Sequence, residues 1–177
     1  SGVDFQASYD ARLGPVKAQA GVSGSYVIHY DVDDVLVEGV LVQPAYDAAG
    51  LLNYQTTAYP LPRLKGQAWV QGALGDHSLR LQVNYVDSYR DQRGADVFGP
   101  NASALAGASV TAGKTIGSFT TVDAVWRWTV FDRTTVSLAL YNLFDADPPF
   151  AGLDQNFDPF TASPLGFTAT LGLSQAF

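Results

Sequence analysis

Two histidines, His29 and His77, and no cysteine are what 177 residues offer for acid–base or nucleophilic chemistry. His77 follows Asp76 in a Gly-Asp-His turn sequence, where a solvated side chain is expected. His29 falls near a strand end on the polar parity, where a hydrogen-bonded structural histidine is expected. No Gly-x-Ser-x-Gly segment occurs, so a hydrolase would need a serine and a histidine paired across strands. Asp31, Asp33 and Asp34 could offer oxygens to a hard cation, but their spacing lacks the glycine and terminal glutamate of a calcium loop and reads as a hydrated loop. Asn101-Ala102-Ser103 has the form of a glycosylation acceptor, a three-residue pattern that carries little weight. Asp123 and Arg127 share a strand face four residues apart, and with Arg63, Lys65 and Arg80 they form a set of charges suited to lining a wet interior. This inventory predicts no enzyme, no metal and no cofactor.

The elements that carry these residues are strands joined by connections of alternating length. Seven strand-like segments span 3–11, 16–30, 63–74, 78–90, 118–130, 134–144 and 167–177. Tight turns at 12–15, 75–77 and 131–133 are rich in the Gly, Pro and Asp that antiparallel turns need. Between them run connections of 32 residues (31–62), 27 residues (91–117) and 22 residues (145–166). These far exceed the roughly 4–6 residue median of compact domains. Short turns on one rim and long loops on the other belong to a transmembrane β-barrel.

Composition is compatible with this class. Apolar residues make up 47% of the chain, with nine Tyr, ten Phe and three Trp, at a mean hydropathy of +0.04. No stretch approaches the roughly 18 apolar residues of a spanning helix, so any membrane crossing is by strands. A net charge of −7, with ten scattered basic residues, argues against a nucleic-acid surface. The absence of cysteine suits a closed barrel and a reducing compartment equally. The chain begins Ser1-Gly2-Val3-Asp4, inside a strand, without an initiator Met or a signal peptide.

Each segment divides into an apolar and a polar parity. In 167–177 the odd positions carry Phe167, Ala169, Leu171, Leu173 and Phe177, and the even ones Thr168, Thr170, Gly172 and Ser174. In 78–90, Leu79, Leu81, Val83, Tyr85 and Tyr89 oppose Arg80, Gln82, Asn84 and Ser88. In 118–130, Val122, Ala124, Trp126 and Trp128 oppose Thr121, Asp123 and Arg127, with Val125 as the exception there and Val27 in the second segment. A half-buried soluble sheet and a barrel wall both alternate this way. Aromatic placement favours the barrel: Tyr26, Tyr30, Tyr85, Tyr89, Phe144 and Phe167 lie near the long-loop rim, and Tyr9, Trp126, Trp128 and Phe177 near the other. Membrane-facing aromatics collect at those two levels.

The stretch Asn142-Leu143-Phe144-Asp145 followed by Pro148-Pro149 resembles the penultimate-strand signature of TonB-dependent outer-membrane receptors. Pro62-Arg63-Leu64-Lys65-Gly66, Val83 to Tyr89, the run from Asp158-Pro159 to Pro164-Leu165-Gly166, and the terminal Phe177 resemble the same family in the same order, across essentially the whole chain. Many members carry Arg after the glycine that opens the last strand, where this chain has Phe167. The resemblance implies an all-β fold: an antiparallel transmembrane barrel of about 22 strands, of which these seven are the C-terminal third. The plug, the energy-coupling segment and about fifteen strands would lie outside residues 1–177. It also implies import of a scarce, bulky ligand such as a ferric siderophore, cobalamin or an oligosaccharide across the bacterial outer membrane. Its partners would be outer-membrane lipid, an inner-membrane energy-transducing TonB complex acting on the missing part, and the barrel-assembly machinery through Phe177. The charged set would then hold the plug. Open first and last strands predict that seven strands alone do not insert stably. A passive porin and a soluble β-sandwich binding module are the alternative readings.

Overall fold

Alternating segments broken by Gly-Pro and Gly-Asp pairs fold back on themselves as antiparallel strands. The computed structural model describes residues 1–54, 58–93, 114–130 and 133–176, and among these the chain is all β with no helix. In chain order the strands are β1 (Gly2–Leu13), β2 (Val16–Val27), β3 (Asp31–Val32), β4 (Val35–Val37), β5 (Val40–Gln43), β6 (Tyr46–Asp47) and β7 (Leu64–Leu74). There follow β8 (His77–Val86), β9 (Tyr89–Arg90), β10 (Thr115–Ile116), β11 (Phe119–Val130), β12 (Thr134–Tyr141) and β13 (Thr168–Gln175).

The seven long strands make one antiparallel meander in the order β1-β2-β7-β8-β11-β12-β13, matching the seven expected segments. The sheet is open, with β1 and β13 as its edges, so the expected barrel is not closed by these strands. The six short strands pair at the long-loop end as β3–β6, β4–β5 and β9–β10.

The register keeps the parity in phase from edge to edge. One row runs Tyr9, Ala20, Val70, Leu81, Ala124, Leu140, Ala169, apolar on all seven strands. The row behind it runs Asp10, Gln19, Gln71, Arg80, Val125, Ala139, Thr170. On the polar face the Trp69 indole lies flat across Gly21, where any Cβ would come within 2.7 Å of the ring. The Arg80 guanidinium stacks on that ring at 4.2 Å.

Neither sheet face is buried. Leu171 and Leu173 are 76% and 75% exposed and Tyr9 72%, while the buried cluster of Leu52, Tyr89, Ile116 and Ala151, with Leu153 against it, lies wholly in the long connections. The molecule's core is therefore at one rim.

Three strands end earlier than the alternation suggested. β2 stops at Val27, beyond which the amides of Ile28 and His29 both turn to the Ser1 carbonyl. β8 stops at Val86 because the Asp87 carboxylate takes the Ser88 amide and the Tyr85 hydroxyl, after which Tyr89 and Arg90 pair with β10. β12 stops at Tyr141 because Asn142 adopts φ +50°.

Candidate ligand-facing site

The described residues of three connections, here L1 (28–63), L2 (87–118) and L3 (142–167), converge at one rim, and backbone hydrogen bonds knit them together. The Leu52 amide donates to the Arg90 carbonyl at 2.8 Å, the Arg90 amide to Gly50 at 2.9 Å, and the Asp91 amide to Lys114 at 2.8 Å. Side chains tie L2 to L3. Buried Tyr89 donates its hydroxyl to the Asp158 carboxylate in a short hydrogen bond and also meets Thr161 Oγ1 at 2.7 Å. Burial, then the neighbouring Asp158, pushes the Tyr89 hydroxyl well above the usual phenol range, so it remains a donor. Arg93 grips Asp91 with two nitrogens, at 2.6–3.0 Å, and donates to the Gly152 carbonyl at 2.7 Å. That carboxylate raises the Arg93 pKa and fixes its charge.

In L1 the organiser is Asp47. Its Oδ1 accepts the amides of Tyr30 and Ala49, and its Oδ2 lies 3.2 Å from both His29 Nδ1 and Arg63 Nη2. Arg63 Nη1 continues to the Ile28 carbonyl at 2.5 Å. The backbone amides of Tyr30 and Ala49, followed by the side chains of His29 and Arg63, hold the Asp47 carboxyl well below its ordinary value, against desolvation. His29, Asp31 and Asp47 bring ligand-type atoms within 4.8 Å of one another. With Asp47 already accepting from four groups, one of them a guanidinium, the arrangement is that of an ion-paired loop clasp.

Between L1 and L3 this framework leaves a cavity of about 390 Å³. Tyr54, Tyr59, Phe157 and Phe160 line it, with Asp154, Asp158 and Leu52 among the remaining wall residues. Tyr59 and Phe160 meet at 5.3 Å between centroids with their planes tilted 48°. Arg93 lies over the Tyr54 ring at 4.1 Å. Such a recess, mostly apolar with a few fixed polar groups, has the make-up of a small-molecule site.

The motif residues act as a brace. Buried Asn142 donates Nδ2 to the Ala146 carbonyl and accepts the Ala146 amide on Oδ1, both at 2.9 Å, while its own amide donates to Asp123 Oδ1. Leu143 donates its amide to the Val122 carbonyl, and Phe144 is exposed. Asp145 Oδ1 accepts the Phe167 amide at 2.7 Å, linking the end of β12 to the start of β13. Gly166 sits at φ +59°, where a Cβ would lie 2.5 Å from that Asp145 oxygen. Pro148 and Pro149 are half-buried, with Pro149 against Gly117.

Among the described residues the charged set expected to line the lumen is not ion-paired within itself on the sheet face. Asp123 accepts from Asn84 and Asn142 rather than from Arg127, and Arg127 faces Ser78 and Ser137. Lys65 lies exposed between Ser25 and Val86, and Arg80 donates to Gln82. The polar face instead carries an amide ladder from Ser23 through Gln67, Gln82 and Asn84 to Thr121 and Asp123. Arg63 and His29 belong to the L1 clasp, outside the sheet face. Carboxylates sit on a sheet face less expensively when amides satisfy them, and sequence parity cannot distinguish an amide partner from an ionic one.

Two aromatic assignments also change. Tyr89 is 3% exposed in the rim core rather than at a lipid level. His77 opens β8 and stacks on Trp126 and Trp128 at 5.8 and 5.6 Å instead of standing in a turn. Phe177 and Asn101-Ala102-Ser103 lie outside the described residues. Comparison of the chain with protein-family models, curated proteins and solved structures returned no match.

Proposed function

We propose that the chain forms wall and outer rim of an energy-coupled outer-membrane receptor that imports a scarce, bulky ligand. The observation that supports this reading is the predominantly apolar face, in phase on seven strands and uncovered by any protein layer among the described residues. A ten-residue strand at roughly 3.3 Å per residue, tilted by about 40°, rises about 25 Å, the height of the apolar band of such barrels. Trp126 and Trp128, stacked with His77 at the short-turn rim, suit the headgroup level. A soluble β-sandwich would need a second sheet on this face, and the short pairs β3–β6, β4–β5 and β9–β10 all belong to L1 and L2. In this reading the amide ladder faces the lumen, and the strands that complete the barrel, the plug and its energy transducer act with the chain from outside residues 1–177.

Quenching by brominated dodecylmaltoside tests the reading. In single-tryptophan variants, Trp126 and Trp128 are expected to be quenched strongly, and Trp69, on the opposite face, weakly. Equal quenching of all three, or a chain monomeric and folded without detergent, overturns it. Reading the parent gene upstream of Ser1 separates receptor from porin: a plug-sized domain in frame supports the receptor, and strands alone support the porin.

A further inference from the structure

The rim is charged very unevenly. The described residues of L1, L2 and L3 include eleven of the chain's seventeen acidic residues but four of its ten basic ones, and L3 alone has four carboxylates with no Lys or Arg. Two of the four basic residues are engaged, Arg63 by Asp47 and Arg93 by Asp91. The cavity between L1 and L3 thus opens into a negative field, with walls of Tyr54, Tyr59, Phe157 and Phe160. Ring faces attract cations, most strongly where water is partly excluded, and a surrounding excess of carboxylates concentrates cations and repels anions. Asp158 is committed to Tyr89 and Arg93 covers the Tyr54 ring, which leaves the rings of Tyr59, Phe157 and Phe160 for a ligand and Asp154, within the field of Arg93, as the wall carboxylate beside them.

We propose that this aromatic cavity binds a small organic cation, an alkylammonium group or a comparable delocalised cation, with Tyr59 and Phe160 as the principal walls and Asp154 as the counter-charge. An anionic ligand would enter against the net negative charge of the rim, with Arg93 over the Tyr54 ring already neutralised by Asp91. The inference names a ligand class for the receptor reading and rests on it for the physiological role, whereas the binding itself needs only the folded rim.

Calorimetric titration of the full chain in nonionic detergent tests it, with choline, its uncharged analogue 3,3-dimethylbutan-1-ol, and benzoate as probes. Choline is expected to bind about tenfold more tightly than the uncharged analogue, and benzoate not measurably. Choline affinity should fall as salt is raised. Tyr59 and Phe160 are 68% and 64% exposed, so Tyr59→Ala and Phe160→Ala should fold normally while losing most of the choline affinity. Asp154→Asn should reduce the preference for charge, leaving the part supplied by the rings, and keep the affinity for the uncharged analogue. Equal binding of choline and its analogue, preference for benzoate, or no choline binding by the folded chain each overturns the proposal. Choline binding without tryptophan quenching by brominated detergent would keep the site and remove the wall reading, and the reverse result would do the opposite.

Discussion

Asp145 and Gly166 require each other: the carboxylate that caps the Phe167 amide fills the space a Cβ would take, and the backbone there is left-handed. Gly166→Ala is therefore expected to cost about 1–3 kcal/mol, and hydrogen exchange at the Phe167 amide should quicken with it, which denaturant titration and exchange would measure. Asp47 carries a pH dependence of definite sign. Its folded pKa is depressed from an ordinary 3.8, so its stabilising contribution is complete above that value and is lost as pH falls below it toward the folded value. The Tyr30 and Ala49 amides should lose protection progressively on acidification below pH 3.8, and Asp47→Asn should flatten that response. The Asn142 brace could be found from local sequence because its partners lie within a few residues or on the adjoining strands. Asp47 could not, because its side-chain partners His29 and Arg63 lie 18 and 16 positions away and nothing in strand parity marks them.

Among the elements, the long strands were legible because period-2 alternation and turn residues agree along each of them. Their ends were less so: side-chain capping by Asp87 and the left-handed Asn142 stop strands whose alternation continues. Parity also predicts how substitutions in one strand divide. In β13, Leu171→Arg is expected to cost about 2–4 kcal/mol when the apolar face is embedded, whereas Thr170→Arg, one residue away on the other face, should cost little. Denaturation in micelles would compare the two, and equal effects would argue that β13 has no lipid-facing side. The β4–β5 hairpin is a different kind of element: Leu36, Val37, Val40, Leu41 and Val42 are all exposed, so its apolar composition does no core work within the chain. The rim core escaped the sequence reading because Leu52, Tyr89, Ile116 and Ala151 are single residues scattered over three long connections, without any period to reveal them.

For the molecule as a whole, two free edges govern behaviour. β1 and β13 each present a row of unpaired backbone groups, which are costly in hydrocarbon. The chain alone should therefore run at the same position in a detergent gel with or without heating, and heat-modifiable migration would show that it closes by itself. The rim, which has its own core and tethers, should keep slow hydrogen exchange at Leu52 and Asp91 even where the sheet edges exchange quickly. The shared phase of the faces also bears on how such a gene can change length. One codon inserted within β8 turns every side chain beyond it to the wrong face, and two codons restore the phase at the expense of a bulge. Length variation inside the seven long strands should thus be tolerated only in pairs, while L1, L2 and L3 can drift by any number, so the same nucleotide change is silent at one end of the molecule and ruinous in its middle.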